Sequence, residues 1–431
     1  MSDTVQSEKL SLNEVIAMGV GGMVGGGIFS VLGLAILLAG HAAPIAFALC
    51  GLIAMITGLS YARLGLAFQS AGGSFTYLEH AFKHPNIAGL GGWLLLVGYI
   101  GTMSLYAFTF GVYGTAMFGL GQPANIAMQH LLESLVILAF LAINLYGVKA
   151  SGSSELIIVT IKILILLLFA IVGLFYARAD HLLPVFNEGL NGVLMGAALI
   201  FVAYEGFELI PNTMNEMKDP QTNLLKAIVW SIAITIVVYV LVSIVAVGNL
   251  LPDQINQYKE YALAVAAKPF LGEAGFMLIG LAALFSASSA INATLFGTAR
   301  LSMVMAKEHR LPSAFGFRRQ SNHIPWAALL IISFVTLLFV NLANLNIISS
   351  FSSSTFLLIF ALINLSAWRL RKKLKISQTL PIIGMILSLA SWFALIVYLW
   401  QSRPASLVWI AGIYMLVIGA ELLFSQRRFI F

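Results

Sequence analysis

Gly19-Val20-Gly21-Gly22-Met23-Val24-Gly25-Gly26-Gly27-Ile28-Phe29-Ser30 puts six glycines inside an apolar segment that runs from 12 to 39. Glycine disfavours helix by about 1 kcal/mol per residue relative to alanine. A run this dense unwinds a helix in its middle, and a bilayer tolerates unwound backbone only where it is buried in protein or lines a cavity. The expected structure is two half-helices, 12–22 and 28–39, separated by free amides and carbonyls. The second half-helix then aims the positive end of its dipole at the gap. The spacings Gly21–Gly25 and Gly22–Gly26 also fit the small-xxx-small pattern of close helix packing. Packing, however, needs one glycine stripe, and here Gly25, Gly26 and Gly27 are consecutive.

The 431 residues are 60% hydrophobic and 9% charged, whereas soluble proteins carry about 25% charged residues. The chain therefore reads as a polytopic membrane protein. Twelve apolar segments follow one another at 12–39, 44–68, 89–118, 126–147, 154–176, 191–214, 224–250, 272–305, 324–343, 346–367, 380–400 and 405–425. They are too long for barrel strands and do not alternate, so the fold class is all-α. With the N-terminus in the cytoplasm, all but five of the 23 basic residues fall on that side. Arg178, Lys259, Lys268 and Arg403 lie opposite, and Lys162 lies within the membrane. The positive-inside rule thus predicts twelve helices with both termini cytoplasmic, in a plasma membrane or bacterial inner membrane. The basic excess is a topology signal and does not imply a nucleic-acid partner. The cluster from Arg369 to Lys375 reads as a stop-transfer anchor beside membrane lipid. No cleaved leader is expected, and Cys50, the single cysteine, excludes an intrachain disulfide.

A second interruption falls in segment six, Phe201-Val202-Ala203-Tyr204-Glu205-Gly206-Phe207-Glu208, where two carboxylates and a glycine break an apolar run. Segments one and six head two five-helix blocks, 1–176 and 191–367, with two further helices over 380–425. Paired broken helices at corresponding positions point to a transporter with a five-plus-five inverted repeat and a central site between the breaks.

Lys162 is the ninth residue of segment 154–176, about 12 Å of helix from its start. Its stem covers about half that distance, so the ammonium cannot fully reach the interface. A charge at such depth costs at least ~2.5 kcal/mol on insertion scales. A lysine there is a candidate for gaining and losing a proton, or for a structural bond to the carbonyls of a broken helix. Ser286 and Ser289 share one helix face in segment eight, either lining the cavity beside the first break or packing as small residues. Glu205 and Glu208 are partners for a substrate amine or for the transport machinery, or are hydrogen-bonded inside the bundle. Phe201, Tyr204 and Phe207 around them are gates or plain packing.

Several of these motifs carry a family resemblance. Gly21-x-x-x-Gly25-x-Gly27-Ile28-Phe29 resembles the first-helix signature of the amino acid–polyamine–organocation superfamily. Ser70-Ala71-Gly72-Gly73-Ser74-Phe75-Thr76-Tyr77, the sixth segment, and Glu216-Met217-Lys218-Asp219-Pro220 through Ile228 resemble further parts of it. The likeness covers segments one to ten and is strongest to proton-coupled amino acid transporters of broad specificity, which carry a lysine where Lys162 stands. Their fold is the one named after LeuT. The resemblance implies that the substrate carboxylate meets the amides of Gly25, Gly26 and Gly27 beside Ile28. It implies that the substrate amine meets carbonyls near Val24 and in the stretch Phe201, Ala203, Tyr204. Glu205 borders this site as an extra charge at a position often apolar in the family, and Phe207 and Glu208 support or gate it. Lys162 would replace a sodium ion, working with the Gly21 carbonyl and the Ser286/Ser289 face. Gln69, Gln221, Thr222 and Leu225 depart from the family pattern.

An enzyme is not expected. The histidines at 41, 80, 84, 130, 181, 309 and 323 fall at segment ends or in loops, and no His-Glu-x-x-His or Gly-x-Ser-x-Gly is present. No cofactor and no obligate protein partner is implied, and a channel would want rings of like charge or a repeated filter element. The sequence therefore predicts a secondary transporter whose ligands are amino acids and protons. A sodium-coupled symporter or an exchanger of the same fold is the alternative.

Overall fold

Ser11 opens the first helix with a reciprocal cap. Its side chain accepts the Glu14 N–H at 3.4 Å, and the Glu14 carboxylate accepts the Ser11 N–H at 2.8 Å. The computed structural model describes residues 9–70, 72–119, 125–147, 152–319 and 324–426. Residues 1–8, Ala71 of the Gly-Gly turn, Lys149, His323, Arg427 and Arg428 lie outside them.

The helices are α1 (Leu12–Met23), α2 (Gly27–Ala39), α3 (Ala43–Phe68), α4 (Gly73–Ala81), α5 (Pro85–Met117), α6 (Ile126–Tyr146), α7 (Gly152–Tyr176) and α8 (Gly189–Ile200). They continue as α9 (Pro220–Asn249), α10 (Pro252–Tyr258), α11 (Ala262–Lys307), α12 (Trp326–Leu342), α13 (Leu345–Arg369), α14 (Arg371–Leu374), α15 (Thr379–Ser402) and α16 (Pro404–Gln426). Ten helical stretches among the described residues are long and apolar enough to cross a membrane. One of them, Gly27–Phe68, is divided at Gly40, where φ is 56°, and Trp326–Leu342 is a shorter apolar helix. With these two, the expected twelve segments are all present.

The first break falls between Met23 and Gly27, within one residue of the expected ends. The second differs in kind. After α8 the chain winds as a 3₁₀ turn over Phe201–Tyr204, opens at Glu205 and Gly206, and resumes as 3₁₀ helix over Phe207–Glu216. Pro211 lies inside that last stretch and lacks the N–H that α-helix would use. Segment eight also departs from its expected start at 272. Helix α11 begins at Ala262 and kinks at Gly272, where φ is 62°. The short helices α4, α10 and α14 were not anticipated.

Lipid-facing and buried stripes follow helical spacing. On α7, Ile157, Ile161, Leu164, Leu168 and Ile171 are exposed, while Val159, Lys162, Leu166 and Phe169 are buried. Lys162 thus belongs to the face that packs on α1, α9 and α11. Neighbour relations keep their pattern when each segment is exchanged for the one five later. Helix α2 packs on α8, α3 on α9, α5 on α11 and α6 on α12. Likewise α7 meets α11 as α13 meets α5, and α1 meets α9 as α8 meets α3.

At the start of segment one, Leu10 donates its N–H to the Glu216 carbonyl at 2.7 Å and accepts the Lys218 N–H at 2.9 Å. This single bridge ties the beginning of α1 to the end of segment six.

Candidate functional site

Unwinding segment one frees carbonyls that would each cost about 1–3 kcal/mol if left unpaired in the interior. Three of them receive a side-chain donor. Lys162 Nζ donates to Gly21 O at 3.1 Å, Tyr106 to Gly22 O at 3.2 Å and Tyr239 to Met23 O at 2.6 Å. Gly26 O already takes the Ser30 N–H at 3.2 Å, and the Thr109 hydroxyl, 3.1 Å from it, also reaches Leu105 O at 2.8 Å. These donors come from α7, α5 and α9. Tyr106 and Thr109 stand one turn apart on α5, and Tyr113 extends the same stripe to Phe29 O at 2.8 Å. The amides of Gly25, Gly26 and Gly27 have no acceptor partner among the described residues, and no side chain caps α2. Val24 ends α1, and Ile28 is fully buried behind the glycines.

The glycines also set how closely the surroundings approach. A Cβ on Gly25 would lie 2.8 Å from the Tyr106 ring, and one on Gly26 would lie 2.6 Å from the Thr109 hydroxyl. On Gly27 it would lie 2.8 Å from Ala203 Cα. Gly206, at φ 129°, presses its backbone against Gly22, where an added Cβ would meet the Gly22 carbonyl carbon at 2.6 Å. The breaks therefore face each other backbone to backbone, at Gly22–Gly206 and Gly27–Ala203. Close packing and unwinding, set against each other in the sequence, are served by the same glycines.

The second break is supported from α13. Ser349 and Ser353 both donate to Leu199 O, at 2.9 and 2.7 Å, and Ser353 Oγ accepts the Val202 N–H at 3.0 Å. Tyr239 reaches Ala203 O at 2.9 Å. Phe201, Ala203 and Tyr204 are buried, and the Tyr204 ring meets that of Tyr239 edge-on at 5.1 Å. Phe207 packs between Tyr61 and Phe360 at 5.8 and 5.2 Å. The Glu208 carboxyl accepts the Gly206 N–H at 2.7 Å, and both Glu205 and Glu208 are buried.

Lys162 is 1% exposed, and its ammonium sits on the first break. Neither serine expected beside it bonds to it among the described residues. Ser289 donates to the Glu155 carboxylate at 2.9 and 3.1 Å. Ser286 Oγ is buried with no hydrogen-bond partner among the described residues. Glu155 stands two turns before Lys162 on α7 and interacts with it electrostatically. A Cβ on Gly21 would lie 2.5 Å from Glu155 Oε1, so Gly21 is held between the carboxylate and the ammonium. Glu155, Ser288, Ser289 and Asn292, with Phe140, Ile158 and Phe285, line a cavity of about 360 Å³ between α6, α7 and α11. Glu155 was not expected here, because an acid in the first turn of a helix reads as an ordinary dipole partner. Tyr106, Thr109, Tyr239 and Ser353 were missed too. Only the serine run from Ser349 to Ser354 carried a signal in the sequence.

The family model described as "Amino acid permease" matches residues 10–420. An uncharacterized protein of Methanocaldococcus jannaschii is 34% identical over 423 residues, covering 98% of this chain and 96% of that one. The inner membrane transport protein YbaT of Escherichia coli is 29% identical over 425 residues, with 98% and 97% coverage. Among solved structures, a point mutant of the manganese transporter of Eremococcus coleocola superposes with a TM-score of 0.62 over 96% of this chain and 95% of its own. Its sequence identity is 14%, so the likeness is one of fold alone.

Proposed function

The chain belongs to the amino acid permease family, and from that premise we propose that it is a proton-coupled symporter of amino acids, broad in specificity and working by alternating access. The moving parts are two five-helix blocks, 1–176 and 191–367, with 380–425 as a flanking pair. Both termini face the cytoplasm of a plasma or bacterial inner membrane. The substrate carboxylate takes the unpartnered amides of Gly25, Gly26 and Gly27 at the N-terminus of α2. The substrate ammonium takes the carbonyls at Met23–Val24 and Phe201–Tyr204.

The observation that carries the coupling is the Lys162 ammonium on Gly21 O. That bond joins α7 to the last turn of α1, just before the first break. Protonation strengthens it as a charge-assisted bond, and so biases the equilibrium between states by as much as the proton prefers one of them. A sodium ion at the same carbonyl would stand against the ammonium, which argues against the sodium-coupled alternative.

Uptake into proteoliposomes under imposed gradients tests this. Wild type is expected to concentrate amino acids on an inward proton gradient at constant sodium, and Lys162→Ala to lose accumulation while retaining binding. Accumulation that follows sodium and ignores the proton gradient would refute the assignment. So would concentrative, proton-driven uptake by Lys162→Ala.

A further inference from the structure

We propose that Glu205 is the specificity residue for a cationic side chain, so that the preferred substrates are amino acids carrying a side-chain amine or guanidinium. The inference rests on the amino acid transport reading above, narrows its breadth to substrates with a cationic side chain, and names the substrate class of the same site.

Glu205 follows directly on Tyr204 at the point where segment six unwinds, and its backbone is extended there. The residue is 2% exposed, and its carboxyl Oε2 has no hydrogen-bond partner among the described residues. Its surroundings come from the middle of α5, where the Thr102 hydroxyl and Tyr106 lie beside it. Tyr106 in turn touches Gly22 and packs where a Gly25 side chain would be. The carboxyl is therefore in the layer of side chains that covers the first break.

Glu208 is the second acid of the pair. Its Oε2 takes the Gly206 N–H, Tyr99 interacts with the carboxyl, and Oε1 has no partner among the described residues. No lysine, arginine or histidine stands within 4.0 Å of either carboxyl among those residues, and the ion pairs they form lie elsewhere. The buried ammonium of Lys162 is committed to Gly21.

Two buried acids thus face hydroxyls and aromatic rings with acceptor capacity to spare. An unpaired carboxylate is costly in the interior, so such a group is completed either by a proton on the carboxyl or by a cation that displaces it. A side-chain ammonium or guanidinium supplies charge and several donors at once. The rings of Tyr99 and Tyr106 suit its aliphatic stem and its charge. An apolar side chain would instead leave Glu205 Oε2 unpaired, so the same residue selects against neutral substrates.

The test compares ligands of matched shape on the purified full-length transporter, by competition against a radiolabelled amino acid. The probes are L-lysine against L-norleucine and L-arginine against L-citrulline. Wild type is expected to favour the cationic member of each pair by about tenfold or more. In Glu205→Gln the preference should fall toward one, because lysine loses more affinity than norleucine. Equal or inverted preference in wild type overturns the inference without any variant, and so covers the case in which Glu205→Gln fails to fold. An unchanged lysine-to-norleucine ratio in Glu205→Gln also overturns it, and altered proton-driven accumulation of norleucine alongside would make Glu205 a proton site. If no amino acid of either class binds, the transport reading fails and takes this inference with it. Binding of neutral amino acids without cationic preference sinks this inference alone.

Discussion

The Tyr239 hydroxyl lies 2.6 Å from the Met23 carbonyl oxygen. It also lies 2.9 Å from Ala203 O, so one phenol from α9 touches both breaks. A phenol has one proton and can satisfy one of the two acceptors at a time. An ammonium has three, and these are the carbonyls at which the substrate amine is proposed to sit. On that proposal, the Tyr239 phenol and the substrate amine compete for the same two oxygens.

Tyr239→Phe should lower the stability of the empty protein by about 1–3 kcal/mol, since it leaves buried carbonyls unpaired. The amine of a bound substrate would satisfy them again. The thermal shift on adding substrate should therefore be larger in Tyr239→Phe than in wild type. Melting curves with and without ligand measure both quantities, and an equal shift in the two proteins would show that the phenol and the amine do not share these oxygens.

Gly22 and Gly206 offer an ordered comparison. A Cβ on Gly22 would meet Gly206 Cα at 3.2 Å, a contact relieved by a small shift. A Cβ on Gly206 would meet the Gly22 carbonyl carbon at 2.6 Å, and its φ of 129° is a conformation that only glycine adopts readily. Gly206→Ala should lower the melting temperature more than Gly22→Ala, with a backbone penalty of about 1–3 kcal/mol beyond the clash. The reverse order would contradict the described approach of the two breaks.

Gly26→Leu places a side chain among the amides proposed for the substrate carboxylate. Binding should be lost, because the backbone can no longer approach the ligand. Equilibrium binding to detergent-solubilised, monodisperse protein is the measurement, and unchanged affinity would remove Gly26 from the site.

Glu155 and Lys162 should be energetically coupled through Gly21. Removing Glu155 alone leaves a buried ammonium with less compensation, whereas removing both leaves neither charge. A double-mutant cycle of Glu155→Ala and Lys162→Ala on thermal stability is expected to give a coupling of about 0.5–3 kcal/mol, as for residues in one polar network. Additive effects would mean that each group acts alone.

The positions of both breaks and the burial of Lys162 were legible because each violates a local rule. Glycines interrupt a helix, and a charge sits in an apolar run. The groups that compensate were not legible. Tyr106, Thr109 and Tyr239 are mid-helix hydroxyls like many others in this chain, and Tyr239 is 216 residues from the carbonyl it serves. Nothing local in their segments records which unwound carbonyl they will face. Glu155 was hidden for the opposite reason, since its position at a helix start has an adequate local explanation. The 3₁₀ course after Gly206 had a visible cause in Pro211. Its length, Phe207 to Glu216, depends on packing against α1, α3 and α9.

The Leu10 bridge has a mechanical consequence. Its main chain both donates to Glu216 and accepts from Lys218, so the leading half of segment one and the trailing half of segment six are stapled at one end. At the other end they abut at Gly22 and Gly206. The two half-segments are thus in contact at both ends. A displacement at either break is therefore expected to load the other through both contacts.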